Sequence, residues 1–170
     1  MDAFLAIASR REVRAYDDRP LPDAAVRRIL EAGRLAGSSQ NRQQRRFVVL
    51  RDDGLREHAA EAAYSPGNLR GAALAVAIVV GGKGPLAFDA GRAAQNMMLA
   101  AHNEGIGSCP NGVADRDGMQ AVLGHGDDEQ VATVLSFGYP VRPRDPGRRP
   151  PEEWVARADR LPLDELIEER

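Results

Sequence analysis

The chain has 170 residues, 43% hydrophobic and 28% charged, with a formal net charge of −2. This is the composition of a globular domain large enough to bury a core without disulfide or metal staples. That balance, with a pI of about 5.9, argues against broad electrostatic binding to nucleic acid or an anionic membrane. The longest apolar run, Ala72–Val80, is too short to cross a bilayer, and Cys109, the single cysteine, has no partner for an intramolecular disulfide.

Phe4, Leu5, Ile7 and Ala8 predict a short amphipathic helix behind Asp2, with no basic segment and apolar stretch of a signal peptide, so a cytoplasmic setting is expected. After Pro20 and Pro22, Asp23 opens a better helix whose apolar face is Val26, Ile29, Leu30 and Gly33, ended by Gly37. Arg46–Arg51 reads as a strand. A turn at Asp52-Asp53-Gly54 leads into a helix through Leu55, Ala59 and Ala62, and Ser65–Asn68 reads as a loop. Ala73–Val80 is a strand buried on both faces. The longest helix is expected over Leu86–Asn103, capped by Gly105. Asp115 caps a helix carrying Met119, Val122 and Leu123. Gln130–Phe137 is a third strong strand, Tyr139–Pro151 is too rich in Pro and Arg for regular structure, and Leu161–Leu166 is a turn with a short helix. One domain over 1–170 is expected, α/β or α+β, with one main sheet.

Four clusters could carry chemistry. Arg10-Arg11-Glu12-Val13-Arg14 is either a phosphate grip of forked guanidiniums or a solvated turn partly neutralised by Glu12, Asp17 and Asp18. The hydroxyls and amides of Gly37–Gln43 suit a flat polar ligand, and equally a helix-ending loop. Gly105–Gly112 bends sharply and could aim backbone amides at a ligand, or serve only as a connector. Arg142, Arg144, Arg148 and Arg149 form a second phosphate candidate or an exposed loop. Cys109 reads as a small buried residue rather than a nucleophile. His58, His102 and His125 lack metal-ligand spacing. Gly82-Lys83-Gly84 is not a P-loop, and neither a dinucleotide fingerprint nor a hydrolase elbow is present.

In order and spacing the clusters resemble the nitroreductase-like family of FMN enzymes along nearly the whole chain. The resemblance lies in Arg10-Arg11-x-x-Arg14-x-Tyr16, in Ser38-Ser39-x-Asn41-x-Gln43, in Asp89-Ala90-Gly91 through Gln95–Ala101 with Gly105–Cys109, and in Gly138-Tyr139-Pro140 followed by Arg148-Arg149-Pro150. It implies a sandwich with a mixed central sheet flanked by helices, in an interwoven homodimer with two FMN sites. Arg10, Arg11, Arg148 and Arg149 would hold the phosphate and ribityl chain, with Arg14 near the pyrimidine edge. Ser38, Ser39 and Asn41, with Gln43 in the same motif, would come from the partner subunit. Backbone at Asn111 and Gly112 would face the reactive N5. NAD(P)H would supply hydride to a nitro compound, quinone or similar small acceptor, with no side-chain acid or base and no metal. Glu12 stands where the family has serine, Gly37 replaces a proline, and Gln44-Arg45 replaces a Pro-Trp pair. With little sequence between Leu50 and Ala73 to cover the site, an open, shallow pocket is expected. Two other readings use the same fold: a flavin-fragmenting or dehalogenating relative, and a non-catalytic flavin-binding dimer.

Overall fold

The apolar segment that follows Ala73 forms the centre of the fold. In the computed structural model, which describes residues 1–170, it is the strand β2, Leu74–Gly81. With β1 (Arg45–Leu50), β3 (Gly107–Asn111) and β4 (Glu129–Gly138) it builds a sheet of order β1-β2-β4-β3. Every ladder is antiparallel, so the mixed sheet expected from the resemblance is antiparallel throughout within this chain. The register slips by one residue on β4 between the pairs Ile78–Thr133 and Val79–Val131. This is a bulge that sharpens the local twist.

Both faces of β2 are covered, which explains its unbroken apolar sequence. Leu74, Val76, Ile78 and Val80 point one way with Leu135 and Phe137, under α2 (Asp23–Arg34) and α5 (Leu86–Asn103). Ala75, Ala77 and Val79 point the other way with Val134, under α3 (Asp53–Glu61), α4 (Pro66–Arg70) and α6 (Arg116–Leu123). Fully burying a side chain such as Ile78 or Phe137 contributes about 1.5–3 kcal/mol. α1 (Ala3–Ser9) packs against α5 and against α7 (Pro151–Ala156). Single 3-10 turns occupy Ser39–Asn41, Pro146–Arg148 and Leu163–Glu165.

Three segments depart from the sequence reading. Gly105–Gly112 is not merely a bend, since Gly107–Asn111 pairs with Gly138–Val134. Its composition is poor for a strand, but it lies at a sheet edge, where Pro110 costs no ladder bond. The expected loop at Ser65–Asn68 instead opens α4, with Pro66 in the first turn, where its missing N–H costs nothing. α7 has no counterpart among the elements expected from sequence; it begins at the close of the Pro/Arg segment and buries Trp154, whose indole N–H donates to the Pro146 carbonyl at 3.0 Å.

An ion pair ties β1 to the start of β4 across β2. Arg46 donates twice to Glu129, at 3.0 and 2.9 Å, and Gly126 N–H donates to the same carboxylate. Arg46, and then the Gly126 amide, hold the Glu129 pKa down at about 2 instead of the usual 4.5. A carboxylate depressed on folding stabilises above its unfolded pKa and loses that contribution as pH falls through its folded one. Glu129→Gln should therefore lower the urea midpoint at pH 6, with the gap from wild type closing between about pH 4.5 and 2. A gap independent of pH over that range would count against the pair.

Candidate functional site

Two glycines set the position of the first arginine cluster. Gly107 and Gly138 face each other across the β3–β4 ladder. Their missing side chains leave a bare patch on which the loop after α1 lies. A Cβ on Gly107 would meet Val13 Cβ at 2.7 Å, and one on Gly138 would meet the Tyr16 ring at 2.8 Å. The loop is stitched down by Val13 N–H to the Ser108 carbonyl (3.0 Å), Asp17 N–H to the Tyr139 carbonyl (2.8 Å) and Val141 N–H to the Ala15 carbonyl (3.2 Å). The Tyr16 hydroxyl donates to the Val13 carbonyl at 2.6 Å and sits 2.9 Å from Ser136 Oγ.

The stitching creates a cleft of about 420 Å³ between the loop Arg10–Ala15, the turn Gly105–Ser108 and the segment from Pro140 to Arg144. Arg10, Arg11, Arg14, Arg142 and Arg144 line it, with Glu12 the one carboxylate. Glu12 is turned onto Arg10, with Arg10 Nη2 donating to its Oε1 at 2.8 Å. Arg10 Nη1 is buried and has no partner. Arg11 braces the site by donating to the Ala8 and Arg10 carbonyls and to the Trp154 carbonyl on α7. Burial, then Arg144, Arg160 and Arg10, pull its pKa down. An adjoining hollow of about 290 Å³ shares Arg11 and Arg144 and adds Arg148, Arg149 and Arg157, against Asp145. A site so rich in forked donors is built for an anion with several acceptor oxygens.

Of the residues singled out in the sequence, Arg10, Arg11 and Arg14 share the cleft, and Arg148 and Arg149 stand in the adjoining hollow. Ser38, Ser39, Asn41 and Gln43 do not line either space. Their loop is tied instead to the start of α5, where Ser39 N–H donates to buried Asp89 at 3.0 Å, and is closed on itself by Gln43 N–H donating to Ser38 Oγ at 2.9 Å. Gln40, Asn41 and Gln43 all have positive φ (52°, 53° and 54°), a costly backbone for residues with side chains. Asn111 is buried. Its Nδ2 donates to the Cys109 and Val134 carbonyls and to Ser136 Oγ, and its Oδ1 accepts from Asn68. Gly112 is exposed beside Tyr64. Burial pushes the Cys109 thiol pKa up, against a nucleophilic role.

Sequence reasoning gave no site role to Ser9 or His102, which meet in the cleft wall 2.9 Å apart. They lie 93 residues apart, so no local spacing announces the pair. No group of acidic, His or Cys side chains could hold a metal, and no helix is long and apolar enough to cross a membrane. α3 and α4, the helices between Leu50 and Ala73, pack on the far side of the sheet and contribute nothing to the cleft wall.

The sequence profile of the nitroreductase family matches residues 7–79 and 85–139. A protein of Archaeoglobus fulgidus, named as a candidate NADH dehydrogenase/NAD(P)H nitroreductase, is 33% identical over 149 residues, covering 82% of this chain and 86% of its own length. Among solved structures, a candidate nitroreductase from Desulfovibrio desulfuricans in complex with FMN is similar with a TM-score of 0.82 and 29% identity, over 100% of this chain and 98% of that one. An FMN-dependent nitroreductase from Clostridium difficile gives a TM-score of 0.78 and 25% identity, over 85% and 90% of the two chains. With the profile spanning most of the sequence and the fold shared over its full length, the chain belongs to the nitroreductase family of oxidoreductases.

Proposed function

We propose that the chain binds FMN and, as a cytoplasmic homodimer, transfers hydride from NAD(P)H to nitro compounds, quinones or a similar small acceptor. The observation that carries this reading is the buried, unpartnered Nη1 of Arg10 in a cleft walled by four further arginines. A phosphate monoester would supply the acceptor that nitrogen lacks, and ligand sites of roughly 300–1,000 Å³ are the norm. The residues therefore fit FMN. The FMN complex of the Desulfovibrio desulfuricans neighbour and the NAD(P)H in the name of the Archaeoglobus relative support the cofactor and the reductant by analogy.

The flavin ring, when bound, supplies two-electron hydride chemistry at N5. Arg10 and Arg11, with Arg148 and Arg149, hold the phosphate and ribityl end. Arg14 would lie toward the pyrimidine edge, where its positive charge would favour the anionic form of the ring. Gly112, with Asn111 before it, is the backbone we assign to the reacting edge, and Ser38, Ser39, Asn41 and Gln43 are assigned to the site of a second copy. No side chain is asked to donate or remove a proton.

The test is the visible spectrum of the purified protein, before and after incubation with FMN and desalting. Two flavin bands that survive desalting and bleach anaerobically with NADH or NADPH are expected. Failure to retain stoichiometric FMN would overturn the reading in favour of a non-catalytic dimer.

Dimerisation has its own test. Phe4 and Ile7 on α1 are 57% and 56% exposed, and Leu163, Leu166 and Ile167 near the end of the chain are 69%, 65% and 52% exposed. Such side chains collected on one chain suit a two-fold interface. Removing residues from Leu161 onward should raise the dimer dissociation constant at least about tenfold in sedimentation equilibrium, the loss of one or two buried apolar side chains. An unchanged constant would remove the tail from the interface.

A further inference from the structure

We infer that His102 is a ligand for the sugar-alcohol chain of the cofactor: its Nδ1 accepts a hydrogen bond from a ribityl hydroxyl, with Ser9 fixing the ring. This rests on the FMN reading and adds to it a residue that neither the ordered motifs nor the arginine cluster identifies.

The proton positions follow from distances. Ser9 Oγ lies 2.6 Å from the Leu5 carbonyl oxygen. Two oxygens that close need a proton between them, and the carbonyl has none, so the single serine proton points at Leu5. Ser9 Oγ can then only accept from His102 Nε2, 2.9 Å away. That fixes the tautomer with hydrogen on Nε2 and leaves Nδ1 as a bare acceptor. Nδ1 has no partner within the protein and is not sealed in the interior, and His102 lines the cleft. Burial, and then the charge of Arg10, push the His102 pKa below its usual value, which keeps the ring neutral and Nδ1 free.

The charged side chains of the cleft are otherwise mostly donors. Its five arginines offer only N–H groups, and its one carboxylate, Glu12, has one oxygen engaged by Arg10. A neutral imidazole nitrogen is the complement of a hydroxyl proton rather than of a phosphate oxygen. A ligand with a phosphate for the arginines and hydroxyls a few bonds away matches both surfaces. Ser9 closes α1 and His102 stands in the last turn of α5, so the acceptor is mounted on two packed helices rather than on a mobile loop.

The test compares three flavins on the flavin-free protein: FMN, riboflavin without the phosphate, and lumiflavin without the ribityl chain. His102→Phe should weaken FMN and riboflavin by the same factor, about five- to tenfold, the worth of one neutral hydrogen bond. Lumiflavin binding should be unchanged. His102→Gln, which can still donate to Ser9 and accept with its carbonyl, should restore most of the loss. If His102→Phe does not fold, Ser9→Ala, which frees the ring, should give the same pattern at smaller size. Equal weakening of all three flavins would make His102 structural, loss confined to FMN would assign it to the phosphate, and no change would remove it from the site; each overturns the inference. Wild-type protein that binds no FMN would instead defeat the cofactor reading itself, before any variant is compared.

Discussion

Arg10→Ala should weaken FMN binding by about 30- to 1,000-fold while leaving riboflavin within about threefold, because truncating one partner of a buried charge pair costs roughly 2–4 kcal/mol. Only 15% of the Arg10 side chain is exposed, one of its nitrogens is engaged by Glu12, and the other is buried with nothing to meet. A desolvated donor without an acceptor is a standing cost, which a phosphate oxygen would remove. Riboflavin offers no such oxygen and so should not register the loss. Arg10→Lys should fall between, since an ammonium cannot serve Glu12 and a phosphate through one planar fork. Glu12→Ser should act in the opposite direction: the carboxylate occupies Arg10 and repels phosphate, so its removal should tighten FMN several-fold. Flavin fluorescence quenching on the flavin-free protein measures all of these. Equal loss of riboflavin in Arg10→Ala would show that Arg10 serves the loop and not the phosphate.

Helix and strand periodicity made most of the fold legible. The strands expected from Arg46, Ala73 and Gln130 begin within a residue of β1, β2 and β4, and α5 runs from Leu86 to Asn103 as its pattern predicts. These elements bury one or two apolar faces, and burial writes itself into sequence. β3 left no such trace: Gly107-Ser108-Cys109-Pro110-Asn111 is strand because β4 presents it with a ladder, a tertiary cause that local propensity cannot register. The arginine cluster near the start stands out in the sequence as a candidate site, and Glu12 as a difficulty within it whose answer, the pairing with Arg10, needed coordinates. Asn111 is a different case. Its sequence reading concerns the backbone alone; that its side chain holds Cys109, Val134, Ser136 and Asn68 together is visible only in the coordinates. The Ser9–His102 contact joins two helix ends far apart in the chain, and such a meeting has no one-dimensional signature.

Gly138→Ala and Gly107→Ala should each destabilise the protein by about 1–3 kcal/mol, the usual cost of forcing a methyl group into a filled space, and each should also weaken FMN. A Cβ at position 138 would stand 2.8 Å from Tyr16 Cγ. The ring cannot retreat freely, because its hydroxyl is held by the Val13 carbonyl and Ser136. At position 107 the obstacle is Val13, with Cβ and Cγ1 both 2.7 Å away. Its branched side chain has few rotamers to choose from, and its N–H is committed to Ser108. Relief must come from lifting the loop that carries Arg10, Arg11 and Arg14, so stability and cofactor affinity should fall together. Because both substitutions push the same loop, the double variant should lose less than the sum of the two. Gly67→Ala is the control: its Cβ meets nothing within 4 Å, and it should leave stability unchanged or up to about 1 kcal/mol higher. Urea midpoints and FMN titrations on the same preparations measure both effects. The coupling also runs in reverse. FMN at a hundredfold excess over its dissociation constant adds about 2.7 kcal/mol to the folded state, so it should recover much of the stability lost in either glycine variant. A variant that loses stability yet binds FMN as wild type would show that the sheet end and the arginine loop are independent, and the glycine pair would then matter to packing alone.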